Sequence, residues 1–182
     1  MSELKTRIIN HIIKVEGGYV DDPSDSGGET NFGITKKVAR DYGYKGSMRD
    51  LPKSLAFEIY SEKYWDILDL SVIELMSPAI AEEIADTAVN QGVTRAAHFL
   101  QRSLNVLNNK QELYPDLVVD RKVGPATIRA LGDYIAHRGN KGEVVLMRML
   151  NSLQGAFYVE LSERREKDEK YIYGWFENRV EM

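Results

Sequence analysis

Apolar residues recur at helical spacing along almost the whole chain, and one stretch does not follow that period. Leu4, Ile8, Ile9, Ile12 and Ile13 form the stripe of a first amphipathic helix. Residues 16–35 follow at once and read EGGYVDDPSDSGGETNFGIT. This stretch is too polar for a core and too rich in glycine for a helix. Gly17 and Gly18 stand where a helix ends, and Asp22-Pro23 and Gly27-Gly28 are turn formers. The spacing therefore predicts turns and a short hairpin over 19–34.

Helical signals then resume to the C-terminus. A short helix over about 35–42 ends at Gly43. Pro52 opens a helix whose Leu55, Ile59, Tyr60 and Tyr64 share a face. Ser77-Pro78 is a cap and first-turn pair for a helix through Ile84 and Ala88, stopped by Gly92, and Thr94 is the expected cap of the next. Residues 108–124 are polar and read as a loop. Pro125 opens another helix. Leu146, Leu150, Leu153, Phe157 and Leu161 then mark a last long one, and the charged RREKDEK that follows it reads as a solvated face. The expected class is mainly α, a helical fold with a small β-hairpin or turn-rich insert after the first helix.

Composition narrows the function. The 182 residues include no cysteine, which removes disulfides, cysteine nucleophiles and thiolate metal sites. A net charge of -4 without a basic cluster argues against nucleic acid as a partner. His11, His98 and His137 lack metal-ligand spacing, so neither a metal nor a cofactor is expected. The N-terminus MSELKTRIINHIIKVE has no long apolar run and no small-residue cleavage site, so neither a signal peptide nor membrane insertion is expected. Synthesis in the cytoplasm is the corresponding expectation.

The chemistry-bearing candidates lie in the aperiodic stretch. Glu16 falls one helical step beyond Ile12 and Ile13, on the apolar face and at the negative end of the helix dipole. Burial and that dipole both disfavour an ionised carboxylate, the condition a general acid needs. The alternative is a glutamate that frays into solvent. Asp25 lies nine residues on and Thr30 five beyond that, so a hairpin would return an acid and a hydroxyl opposite the helix end. One protonated and one ionised carboxyl across a cleft is the layout for cleaving a glycosidic bond, and the threonine would position water. Gly28 would let backbone approach a sugar, and Tyr19 is the aromatic best placed for the cleft. Tyr60 and Trp65 read more simply as packing. Asp86 and Asn90 share a helix face and either meet substrate or bridge neighbouring elements; Asp86 is the alternative second carboxylate.

The run EGGY, then DP-x-D-x-GG-x-TN-F-GIT, resembles the N-terminal signature of glycoside hydrolase family 108, the N-acetylmuramidases of phage-endolysin and secretion-activator type. IYSEKYWD (59–66) and ADTAVNQG (85–92) resemble further segments of that family. AAHFLQRSLNV (96–106), DRKVGPATIRAL (120–131) and YGWFENRV (173–180) resemble the predicted peptidoglycan-binding region that follows it. The resemblance implies a lysozyme-like fold with a catalytic region at 1–93 and a wall-binding-like helical region at 94–182. It implies cleavage of the β-1,4 bond after N-acetylmuramic acid, with Glu16 as the acid. Glu16, Asp25 and Thr30 also resemble the Glu-Asp-Thr triad of phage lysozymes, one residue shorter between the last two. Asn31, in the TN of the signature, joins the substrate-binding candidates. Arg121 stands where the wall-binding-like motif has glycine. The expected partner is peptidoglycan, met by a monomer at the cell wall after release or export. A non-catalytic wall-binding module and a lytic transglycosylase are the competing readings.

Overall fold

The computed structural model describes residues 2–21 and 28–180, and they are mainly helical. The chain forms two compact units, Met1–Asp66 and Ile67–Met182. Among the described residues no helix is long and apolar enough to cross a membrane.

The first unit opens with α1 (Glu3–Glu16), capped by the Ser2 hydroxyl, which accepts from the Lys5 amide at 3.0 Å. Ile9, Ile12 and Ile13 make its buried face, and Gly17 ends it at φ 81. Strands β1 (Thr30–Asn31) and β2 (Ile34–Thr35) form an antiparallel hairpin. Its two central residues, Phe32 and Gly33, both have positive φ, 52 and 70, the twist that a two-residue hairpin prefers. Val20 pairs with Thr30 through both backbone bonds, 2.9 and 2.8 Å, so the chain leaving α1 is the hairpin's third edge. The expected hairpin is thus present but centred on 32–33. Its anchor is Asn31, which is buried and donates to the Met48 and Arg49 carbonyls at 2.7 and 3.3 Å.

Helix α2 (Lys36–Asp41) follows, capped by Thr35. Helix α3 (Lys53–Tyr60) packs on α1, and its end widens into a π turn over Ser61–Trp65 that buries Trp65. Ile9, Ile12, Ile34, Ala39, Met48, Ile59 and Trp65 are the heart of this unit's core.

The second unit is a helical stack. It comprises α4 (Leu70–Met76), α5 (Pro78–Gln91), α6 (Val93–Leu107), α7 (Pro125–Arg164) and α8 (Glu169–Arg179). Neighbours in this order pack together, and α7 also covers α5. Ala81, Ala85 and Ala88 let α5 run close to its neighbours, with Ile73, Ile80, Ile84, Leu100 and Leu104 filling between. Ser77 caps α5 as expected, accepting from Ile80 N at 3.1 Å and donating to Glu143 at 2.5 Å. Thr94 is not a cap: α6 already starts at Val93, with Gly92 (φ 92) as its flanking residue. The expected break before the last long helix is Gly139, at φ 55 and ψ -154 inside α7, where Tyr134 donates to the Gly142 carbonyl at 2.8 Å.

Candidate functional site

Glu16 is the last residue of α1, and the hairpin tip lies directly against it. A Cβ placed on Gly33 would come 2.5 Å from Glu16 Oε2, 3.0 Å from Glu16 Cβ and 2.8 Å from the Tyr60 hydroxyl. Glycine is therefore needed at position 33 twice, for its positive φ and for room. Tyr60 donates to the Phe32 carbonyl at 2.7 Å, tying the hairpin tip to α3. Burial first, then the Glu16 and Tyr64 charges, push the Tyr60 phenol well above its ordinary value, so it is a hydrogen-bond donor at any working pH. Three separate elements thus meet at one carboxylate.

Glu16 itself is exposed. The expected burial is absent because α1 stops there and Gly17-Gly18 turn the chain away before anything covers the side chain. Glu16 does close α1, as the helical period predicts.

Around this point the hairpin carries a polar cluster. Tyr19 donates to Glu29 at 3.0 Å, and Lys36 pairs with the other Glu29 oxygen at 2.9 Å. The Arg49 guanidinium lies 4.1 Å from the Tyr19 ring centre. The hydrogen bond from Lys36, then that from Tyr19, hold Glu29 below its ordinary value, so it is an anion at neutral pH. Tyr19 is half-buried, with its hydroxyl and one face already engaged. Thr30 is half-buried on β1, and Gly28 is exposed at φ 64 with open space about it. Asn31 is part of the framework, its amide spent on the 48–49 turn. Asp25 lies outside the described residues, as do Asp22 and Gly27.

Asp86 and Asn90 belong to α5, in the second unit. The Asp86 carboxylate accepts from Gln154 at 2.9 Å and from Asn90 at 2.8 Å. Burial raises the Asp86 carboxyl above its ordinary value, against the lowering effect of Gln154. The Gln154–Asp86 bond bridges α5 and α7, with Asn90 joined to it along α5.

Sequence reasoning passed over Gly33 and undervalued Tyr60. The sequence signal for the first was Asn-Phe-Gly between two short β-prone pairs, which marks a hairpin tip. Tyr60 was read as packing, and it is buried, but its hydroxyl faces the site.

No curated protein matches the chain. A solved structure, that of Brucella abortus SagA, is similar over 94% of this chain and 86% of that one, with a TM-score of 0.57 and 24% identity. That likeness carries the fold. Residues 9–92 match glycosyl hydrolase 108, and residues 95–180 match the predicted peptidoglycan domain. The boundary between these matches falls between α5 and α6, whereas the compact units part at 66–67. The chain therefore joins a glycosyl hydrolase 108 region to a predicted peptidoglycan domain, a pairing that supports a peptidoglycan-acting enzyme.

Proposed function

We propose that the protein is an N-acetylmuramidase that hydrolyses the β-1,4 bond between N-acetylmuramic acid and N-acetylglucosamine, with Glu16 as its general acid. The observation that carries this reading is the exposed Glu16 carboxylate at the end of α1, packed against Gly33 of a hairpin tip that the Tyr60 phenol ties down. A proton donor needs both properties: access to the glycosidic oxygen and one held position. Bound glycan supplies the exclusion of water that the free protein lacks at this carboxylate.

In this scheme Glu16 gives its proton to the leaving oxygen as the sugar gains oxocarbenium character. Asp25 is the second carboxylate, stabilising that charge or orienting water, and Thr30 assists the water. Tyr19 and Gly28 shape the sugar-facing side of the hairpin, and Asn31 supports it from within by anchoring β1 to the 48–49 turn. Residues 1–93 form the catalytic region and 94–182 the wall-recognising one. The protein is made in the cytoplasm and acts on the wall after release or export, as an endolysin or in assisting secretion.

The test is digestion of purified peptidoglycan by the wild type and by Glu16→Gln, with soluble products read by mass spectrometry. Reducing muramic acid ends that fall by about 10³-fold in the variant support the proposal. Anhydro-muramic ends reassign the protein to lytic transglycosylases. Absence of release by the folded wild type leaves a wall-binding module.

A further inference from the structure

A cavity of about 360 Å³ lies within the Ile67–Met182 unit between α6 and the C-terminal half of α7. Arg95, Arg102, Arg121 and Arg164 line it, with Glu160 as its carboxylate. Four guanidiniums in one cavity run against the net charge of -4 on the whole chain. Among the described residues the ion pair they make is Arg164 with Glu160, and it is a loose one at 3.8 Å. Burial first, then the Arg164 and Arg121 charges, depress the Arg95 guanidinium from its ordinary value.

The cavity wall is built to hold them. Arg95 is half-buried, donates to the Gln91 carbonyl at 2.9 Å, and lies 3.7 Å from the Phe157 ring centre. Stacking fixes its plane and leaves the rest of its donor fork unspent. Arg121 is placed by its backbone. It sits at φ 65, a left-handed conformation that favours glycine, and its amide donates to Gln101 Oε1 at 2.9 Å. An arginine standing where the related motif has glycine is therefore held in an unfavourable conformation while its side chain lines the cavity. Burial and the neighbouring arginines depress the His98 imidazole, so it is neutral at neutral pH and adds no charge.

We propose that this cavity binds the carboxylates of the peptidoglycan stem peptide, so that the second half of the chain reads peptide while the first handles glycan. The proposal rests on the reading of peptidoglycan as substrate. Arginine forks match carboxylates two bonds at a time. The volume suits a ligand of one or two amino acids. Glu160 favours this ligand over a compact phosphate: it repels a dianion, whereas a stem-peptide diamino acid offers it an ammonium beside the carboxylates.

The experiment is isothermal titration of the full chain with the free stem tetrapeptide, L-Ala-γ-D-Glu-meso-diaminopimelyl-D-Ala, which has no glycosidic bond to cleave. The same peptide with amidated carboxylates and inorganic phosphate are the controls. Saturable binding is expected, weakened about tenfold or more by Arg102→Gln and by Arg121→Gln and lost on amidation. Both arginines are exposed, so the variants should melt with the wild type. Should either fail to fold, the amidated peptide on the unaltered chain still decides. No binding of the tetrapeptide, equal binding by folded variants, or tighter binding of phosphate than of peptide overturns the proposal. Digestion of glycan stripped of peptide reports separately on the muramidase reading, and it persists if only the cavity assignment is wrong.

Discussion

Polar side chains serve opposite ends in the two units. In the second, α6 and the Asn108 that caps its end present Gln101, Asn105 and Asn108 four and three residues apart, all engaged with the loop that follows. Gln101 is buried and donates to Asp120 at 2.8 Å and the Lys122 carbonyl at 2.9 Å, and it accepts from Arg121 N. Asn105 holds the Leu117 amide and carbonyl at 2.7 and 2.8 Å. Asn108 donates to Asp116 at 2.7 Å and accepts from Gln111 N at 3.0 Å, closing a left-handed turn over 109–111. A long polar loop becomes ordered because three amides replace the water its backbone would otherwise need. In the first unit Glu16 is fixed by shape, through Gly33, and its carboxylate is left exposed. Side chains fully satisfied by protein build structure; one held in place with its polar end open is equipped for chemistry.

The strongest attempt to break this contrast is Gly33→Ala. A methyl 2.5 Å from the Glu16 carboxylate must displace it. Activity should fall about 10²-fold, since misplacement of about 1 Å costs that much. Strain at positive φ should cost about 1–3 kcal/mol of stability by thermal melting. Unchanged turnover would mean that the hairpin does not position Glu16. The reciprocal variant is Gln101→Leu. It should destabilise the chain by about 2 kcal/mol, mostly by stranding the groups Gln101 satisfies, while turnover of peptide-free glycan by the folded fraction stays near wild type. Loss of turnover at full folding would erase the division between the units.

Tyr60→Phe is gentler. It removes one neutral hydrogen bond, to Phe32, at a cost of about 1 kcal/mol. Because that bond ties down the tip holding Glu16, kcat should fall about tenfold with KM little changed. The smallest effect is a pH dependence. Burial raises the Asp86 carboxyl above its ordinary value of 3.8 in the folded state, so the folded chain binds the proton more tightly than the unfolded one. The stability this confers is complete below pH 3.8 and is lost as pH rises through the higher folded value. Melting temperatures should show wild type losing ground to Asp86→Asn across that window; a difference that stays flat or grows the other way removes burial as the dominant influence on this carboxylate.

Local signals made much of this readable in advance. The Ile9, Ile12 and Ile13 stripe, the Ser77-Pro78 start and the Gly17 stop are decided by bonds within a few residues of themselves. Where local signals compete, the sequence was ambiguous. Gly92, not Thr94, flanks α6, because the chain was already turning at φ 92. No strong period marked α4 or α8. Helix α8 has no buried residue of its own and is held by partners on α7: Trp175 stacks on Tyr158 at 4.7 Å between ring centres, and Phe176 lies over Gly155. The charged RREKDEK before it is largely exposed, as a solvated face would be.

For the site, the sequence by itself determined that Glu16 would end a helix and that glycines would turn the chain away behind it. Both follow from backbone preference and a helical period, which act over a few residues. Only the tertiary structure decided that Gly33, seventeen positions later, would touch that carboxylate, and that the buried Tyr60 would turn its hydroxyl to the same point. It also decided that Asp86 would be spent on Gln154 and that four arginines from α6, α7 and the loop between them would share one cavity. Such meetings depend on which helices pack and at what distance, and that is set by the summed burial of many apolar side chains, none of which names the polar groups it brings together.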